Sequence, residues 1–206
     1  HKLIGALDAF GLDVGDANAL DAGASTGGFT QVLLQRGARH VIAVDVGYGQ
    51  LAWSLRSDER VTVLERTNVR HLDASRDELP YAPDLVVADV SFISLTAVLP
   101  ALVTVAAPTA SFVLMVKPQF EVGKERVGSG VVTSPDLRRE AVAPATRTPA
   151  TTKRGARATR VRTRRQTPQL LCRTRVDDAE SRENTTRTST CYRIRNGNNS
   201  QEVRHR

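Results

Sequence analysis

The chain has 206 residues, and its charge is unevenly distributed. Residues 1–143 hold 13 Lys and Arg against 17 Asp and Glu, whereas residues 144–206 hold 16 against 5. No apolar run approaches the roughly 18 residues that a membrane span needs, and neither Cys172 nor Cys191 lies in a metal-ligand spacing. We therefore expect a cytoplasmic protein with one globular domain and a basic tail, without a membrane segment or a metal site.

Apolar runs alternate with helical patterns along the first part of the chain. Residues 3–14 have apolar residues at helical spacing and predict a short amphipathic helix. After it, five strand-like runs ("NALDAG", "HVIAVDVG", "RVTVLE", "PDLVVADVSF", "SFVLMVKPQF") are separated by three helical ones. Near-continuous apolar strands joined by helices favour a parallel sheet covered on both faces. The pattern predicts a doubly wound α/β sheet up to about residue 120.

The pattern ends after residue 142. Residues 144–206 are rich in Thr and Arg and contain few large aliphatic side chains, so the sequence predicts a disordered tail and a sheet that lacks its last strands. One interpretation is a basic tail that contacts RNA phosphates. The other is a shifted reading frame, which we favour because the break in the pattern is abrupt.

A glycine-rich loop, "ALDAGASTGGFT", follows the first predicted strand. Glycines allow close approach of a ligand, and the next helix offers free N–H groups. The spacing is neither that of a dinucleotide fingerprint nor that of a P-loop. Asp45, at the end of the second strand, is placed to accept hydrogen bonds from ribose hydroxyls. Together with Asp21 and the lack of a phosphate-binding lysine, this favours S-adenosylmethionine; a tight turn without a ligand is the alternative.

Two more strand ends carry charged residues, Asp89 and Lys117. Because the two strands are neighbours in this topology, both residues should lie beside the glycine loop. A lysine held by an acid there could stabilise the alkoxide of a substrate hydroxyl during methyl transfer. The alternative is a pair of solvated residues at a strand edge. The "ADVSF" segment also lacks the Asn/Asp-Pro-Pro-aromatic motif common in N-methyltransferases.

Several longer segments together resemble the TlyA (haemolysin A) family over about residues 1–142: "LDAGASTGGFTQVLLQRGA", "VIAVDVGYGQLAWSLRSDERV", "ERTNVR", "DLVVADVSFISLTAVLPAL" and "VKPQFEVGKERVGSGVV". The resemblance implies a Rossmann-like class I methyltransferase domain similar to FtsJ, with S-adenosyl-L-methionine as cofactor. It implies 2'-O-ribose methylation of cytidines in small- and large-subunit ribosomal RNA. The expected partners are therefore ribosomal RNA or ribosomal subunits.

The resemblance also assigns roles to individual residues. The catalytic positions match Lys2, Asp89 and Lys117. The positions that contact the cofactor match Asp21, Gly23, Ser25, Gly27, Phe29, Asp45, Thr67 and Asn68. Ser91 and Phe92 follow the catalytic Asp and are weaker candidates.

The family's fourth catalytic residue, a Glu, has no counterpart in this sequence. The glutamates of the tail lie in a different context: Glu180, Glu183 and Glu202. The alternative function is therefore an inactive, truncated or frameshifted remnant that at most binds RNA through its basic tail. A pore-forming haemolysin fits poorly, because no segment is amphipathic or apolar enough to enter a membrane.

Overall fold

The computed structural model of the chain describes residues 2–73, 79–127, 132–147, 156–164, 170–172 and 188–196. Its helices are α1 (Lys2–Phe10), α2 (Gly28–Gln35), α3 (Trp53–Arg56), α4 (Leu95–Val105) and α5 (Pro135–Arg147). The first five strands are β1 (Asn18–Ala22), β2 (His40–Val44), β3 (Val61–Leu64), β4 (Leu85–Ala88) and β5 (Ser111–Val116).

These five strands form the parallel sheet that the sequence predicts, in the order β3-β2-β1-β4-β5. In the register, Leu20 of β1 lies opposite Ile42 of β2 on one side and Val86 of β4 on the other. All four residues of β4 are buried, as expected for a strand covered on both faces. The predicted doubly wound α/β fold is confirmed for this part of the chain.

Helices cover both faces of the sheet because successive strand residues point to opposite sides. On one face, Phe112 and Leu114 of β5 pack in a cluster with α4 and α5. On the other face, Val113 and Met115 pack in a cluster with α1, α2 and Leu55 of α3. Each fully buried side chain of this size contributes roughly 1.5–3 kcal/mol of transfer free energy, so the two clusters hold the sheet rigidly beneath its loops.

Two helices have local features that the apolar pattern does not report. Pro100 lies inside α4, and the helix continues past it to Val105. The helical run "QLAWSLRSD" forms only the four-residue helix α3, and Trp53 at its start is 77% exposed. The apolar spacing of this run fits a longer helix than α3. Some of the residues that make up the spacing, such as Trp53, do not pack in the core, so the spacing overestimates the length of the helix.

Three further strands lie in the region for which the sequence predicts none. They are β6 (Ala156–Arg164), β7 (Leu170–Cys172) and β8 (Thr188–Asn196). Both β7 and β8 pair antiparallel with β5, and β6 pairs antiparallel with β8. The disordered tail and the missing last strands stay predictions, and the rest of 148–206 lies outside the described residues. Backbone pairing with the free edge of β5 needs few large aliphatic residues, and Thr and Val favour strands.

In the ranges given above, no helix is both long and apolar enough to cross a membrane.

Candidate active site and cofactor cleft

The charged residues predicted for the site gather at the carboxyl edge of the sheet. Asp45, Asp89 and Lys117 are the first residues after β2, β4 and β5, and Asp21 is the fourth residue of β1. Parallel strands place all these positions at the same edge, which is where open α/β sheets bind ligands. Lys2, the first residue of α1, reaches this edge from the helix layer.

Asp89 forms ion pairs with both lysines. Its Oδ2 lies 3.3 Å from Lys2 Nζ, and its Oδ1 lies 2.7 Å from Lys117 Nζ. The Lys117 side chain is only 10% exposed, whereas that of Lys2 is 42% exposed. Lys117 Nζ also donates hydrogen bonds to Ser91 Oγ (2.6 Å) and to the Asp89 carbonyl oxygen (3.3 Å). The structure therefore brings the three predicted catalytic residues together and fixes the Lys117 ammonium in one place.

The buried carboxylate of Asp21 lies beside the glycine loop. Thr30 Oγ1 donates to Asp21 Oδ2 (2.7 Å), while Oδ1 has no hydrogen-bond partner within the described residues. Complete burial raises the pKa of Asp21 to about 7; the Thr30 hydrogen bonds oppose this shift, and the charges of Asp89 and Asp45 add to it. A cationic group placed against Oδ1 would satisfy that oxygen and favour the ionised form.

The glycine loop is built by positive φ angles and close packing. Gly23 has a φ of +83°, and a Cβ there would lie 3.1 Å from the Asp89 carbonyl oxygen. Gly27 has a φ of +98°, and a Cβ there would overlap Leu55 Cδ1. Ser25 adopts a φ of 49°. A side chain on either glycine would strain the backbone and push the loop away from its neighbours.

Asp45 ties this loop to the end of β2. Its Oδ2 accepts the Ser25 N–H (2.8 Å), and its Oδ1 accepts the Gly47 N–H (2.7 Å). Each carboxylate oxygen has a second lone pair for a further donor. Beside Asp45 lies a cleft lined by Ala24, Ser25, Ala43, Asp45, Gly47, Gln50, Leu51, Val63 and Glu65. The lining combines polar side chains, such as Asp45 and Gln50, with apolar ones, such as Leu51 and Val63.

The other predicted cofactor residues differ in their placement. The Thr67 N–H donates to the Asp45 carbonyl oxygen (3.0 Å), which places Thr67 next to the cleft. Asn68 Oδ1 accepts the Arg70 N–H (3.1 Å), so its side chain caps a short 3-10 turn. Phe29 is partly buried and packs against the apolar cluster of α1 and α2.

Sequence reasoning left out one residue at this edge, Glu121. Its Oε1 accepts the Leu95 N–H (2.8 Å), and its Oε2 accepts the Ser94 hydroxyl (2.6 Å). Glu121 belongs to the "VKPQFE" segment, four residues after Lys117. Its nearness to Lys117 in sequence indicates that Glu121 lies at the same edge of the sheet. Nothing in the local sequence, however, indicates that its side chain reaches the start of α4. Within the described ranges, no cluster of three or more His, Cys, Asp or Glu could hold a metal ion.

The sequence matches one protein family and is similar to several known proteins. Residues 1–153 match the FtsJ-like methyltransferase family. The 16S/23S rRNA (cytidine-2'-O)-methyltransferase TlyA of Mycobacterium tuberculosis is 63% identical over 143 residues, which are 69% of this chain and 53% of that protein. The 23S rRNA (cytidine-2'-O)-methyltransferase TlyA of Campylobacter jejuni is 40% identical over 123 residues, 60% of this chain and 46% of that protein. This chain thus spans about half the length of these relatives.

Solved structures agree with this assignment. A protein from Lactococcus lactis that carries the name of a hemolysin is 32% identical, with a TM-score of 0.75, over 95% of this chain and 86% of that one. The N-methyltransferase NodS from Bradyrhizobium japonicum has a TM-score of 0.56 over 96% of both chains, and at 14% identity it shows the fold alone. The family resemblance found in the motifs is confirmed: this chain belongs to the FtsJ-like methyltransferase family.

Proposed function

We propose that this chain carries the catalytic domain of an S-adenosylmethionine-dependent enzyme that methylates ribose 2'-hydroxyls of ribosomal RNA. The observation that carries the proposal is the joining of Lys2, Asp89 and Lys117 beside a glycine loop at the carboxyl edge of the sheet. The name of the Mycobacterium tuberculosis relative, a 16S/23S rRNA (cytidine-2'-O)-methyltransferase, supports cytidines of both ribosomal subunits as the targets. Ribosomal RNA would place the enzyme in the cytoplasm.

The residues at the loop fit S-adenosylmethionine. The unpartnered Oδ1 of buried Asp21 suits the cationic methionine end, and the positive φ angles of Gly23 and Gly27 give the loop its tight turns beside it. Asp45 retains lone pairs for the ribose hydroxyls, and the cleft beside it suits the adenine. The proposed cofactor residues are Asp21, Gly23, Ser25, Gly27, Phe29, Asp45, Thr67 and Asn68. When bound, the cofactor supplies the methyl group.

The lysines and Asp89 would act on the acceptor hydroxyl. A ribose 2'-hydroxyl is a poor nucleophile while it holds its proton, and negative charge develops on its oxygen as that proton leaves to solvent, before the oxygen takes the methyl group. A fixed ammonium group lowers the energy of that charge because it needs no reorganisation when the reaction occurs. Asp89 and Ser91 hold the Lys117 ammonium in such a fixed place. The more exposed Lys2 lies on the other oxygen of Asp89, where it can contact the incoming RNA.

Methyl transfer by the purified full chain tests the proposal. The chain is incubated with labelled S-adenosylmethionine and either ribosomal subunits, naked ribosomal RNA or, as a control, transfer RNA. The RNA is then digested to nucleosides and analysed by mass spectrometry. We expect 2'-O-methylcytidine from ribosomal RNA and none from transfer RNA. Base methylation, or no transfer to any RNA, would contradict the proposal, and the latter result would favour the inactive remnant.

A further inference from the structure

Glu121 links two loops that both carry proposed catalytic residues. It lies near the start of the loop between β5 and α5, which begins with Lys117 and contains a short 3-10 turn at Pro118–Phe120. Its carboxylate crosses to the loop between β4 and α4, which begins with Asp89 and ends at Ser94. Ser94 and Glu121 are 27 positions apart in sequence, so the contact is a long-range one.

The contact is made at a helix start, where a carboxylate is most effective. Ser94 is the N-cap of α4, and its Oγ accepts the Thr96 N–H (3.1 Å). Glu121 accepts the Leu95 N–H, which belongs to the first turn and has no acceptor within the helix. The partial positive charge at the start of the helix favours the ionised carboxylate. Glu121 therefore satisfies a backbone donor that Ser94 leaves unpaired.

The two loops are joined at two places. Near the sheet, Lys117 Nζ contacts Asp89 and Ser91. About one helical turn further along each loop, Glu121 contacts Ser94 and Leu95. Removing the second link would leave the two loops joined by the contacts of Lys117 and by the ring contact between Phe92 and Phe120.

The segment between the two links is strained. Phe92 has a φ of 62°, a conformation that costs a bulky residue on the order of 1–3 kcal/mol. Its side chain is 92% exposed, and its ring contacts that of Phe120 at 5.3 Å between centroids. Because the Phe92 side chain is barely buried, its packing contributes little to holding this backbone conformation. The contacts of Lys117 on one side and of Glu121 on the other therefore hold it.

We infer that Glu121 is a positioning residue: by joining the β5–α5 loop to the start of α4, it sets the placement of Asp89, Ser91 and Lys117. This inference rests on the proposed function for its effect on catalysis. Burial raises the pKa of Glu121, and the hydrogen bonds from Ser94 and Leu95 oppose that shift. The two donors therefore favour the ionised carboxylate of Glu121, which accepts both hydrogen bonds.

The test compares Glu121→Ala and Glu121→Gln with Asp84→Asn as a matched control. Asp84 Oδ1 also accepts a backbone N–H from another element, that of Asn18 at 3.1 Å, but at the opposite edge of the sheet. Glu121→Gln keeps an acceptor for the Leu95 N–H and nearly the same volume. Each full-chain variant is checked for folding by thermal melting, and then kcat, KM for ribosomal RNA and cofactor affinity are measured.

For Glu121→Ala we expect kcat to fall ~10- to 100-fold, as small misplacements of reacting groups do. Cofactor affinity and KM should stay within about 2-fold, because neither depends on the transition state alone. Glu121→Gln should recover most of kcat, and Asp84→Asn should resemble the wild type. A kcat for Glu121→Ala equal to that of Asp84→Asn would overturn the inference, as would an equal loss of kcat and cofactor affinity.

Hydrogen exchange separates this inference from the proposed function. In Glu121→Ala the Leu95 amide should exchange at least ~10-fold faster than in the wild type, with no change in Asp84→Asn. If the wild type transfers no methyl group to RNA, the proposed function fails, and the exchange result still decides whether Glu121 joins the two loops. An unchanged Leu95 exchange rate in Glu121→Ala would overturn the inference under either outcome.

Discussion

The proposed cofactor cleft and the proposed catalytic cluster occupy neighbouring parts of the same sheet edge but are built differently. The cleft, formed after β1 and β2, depends on backbone: positive φ angles at Gly23 and Gly27 and N–H groups donated to Asp45. The cluster, formed after β4 and β5, depends on side-chain charge: two lysines on Asp89. Substitutions that change the shape of the cleft should therefore weaken cofactor binding, whereas substitutions that change the charge of the cluster should slow the reaction.

The largest effect is expected in the cluster. Asp89→Asn removes the negative charge that lies 2.7 Å from Lys117 Nζ and 3.3 Å from Lys2 Nζ. The lysines would repel each other, and Lys117 would leave its position, so we expect kcat to fall ~100- to 10,000-fold. Steady-state kinetics with ribosomal RNA measure this. A cofactor affinity that fell as far as kcat would show that the cluster and the cleft are not separable.

The reverse pattern is expected in the cleft. Gly27→Ala places a methyl group against Leu55 at a φ of +98°, which should cost roughly 1–3 kcal/mol of unfolding free energy. The loop would shift, and cofactor affinity should fall at least ~10-fold. Calorimetric titration and urea unfolding measure the two effects. Gly28→Ala is the matched control, since a Cβ at Gly28 meets nothing within 4 Å, and it should leave both quantities close to the wild type.

Asp21 should make unfolding depend on pH. Its pKa is raised from 3.8 to about 7 in the folded protein, so folding favours its protonated form. The stability associated with that proton is complete below about pH 4 and is lost as the pH rises through about 7. Asp21→Asn lacks this proton, so its unfolding free energy should rise relative to the wild type between pH 4 and pH 8.

Urea unfolding of the two proteins across this pH range tests the prediction. A constant difference would mean that Asp21 titrates normally in the folded chain. The same variant should bind S-adenosylmethionine more weakly, because an amide presents no negative charge to a cationic ligand. Asp21→Asn would thus gain stability relative to the wild type from pH 4 to pH 8 and yet be a poorer binder.

The smallest effect is expected outside both regions. Asp8 pairs with Arg36 at 2.7 Å, and both side chains are at least 40% exposed. Asp8→Asn should change the unfolding free energy by less than about 1 kcal/mol and should leave kcat and cofactor affinity unaltered. A clear loss of activity would indicate that α1, which also carries Lys2, transmits changes to the cluster.

Much of this arrangement could be predicted from sequence. The five apolar runs predict the parallel sheet, and a parallel sheet brings Asp45, Asp89 and Lys117 to one edge. The placement of Lys2 came only from the family resemblance, because nothing local indicates that the start of α1 reaches Asp89. The catalytic and cofactor roles of these residues stay predictions.

The features that sequence missed are long-range ones. Glu121 bonds with Ser94 across 27 positions, and no periodicity reports such a contact. Phe29 packs against the apolar cluster of α1 and α2, and its contact with the cofactor stays a prediction.

Measuring methyl transfer and cofactor affinity in parallel for the wild type and Lys117→Ala tests the central claim most directly. Lys117 is held by Asp89 and Ser91 but contributes nothing to the cleft beside Asp45. The account predicts that the variant loses transfer to ribosomal RNA while its affinity for S-adenosylmethionine stays within about 3-fold of the wild type. Undiminished transfer by Lys117→Ala, or an equal loss of transfer and affinity, would contradict it.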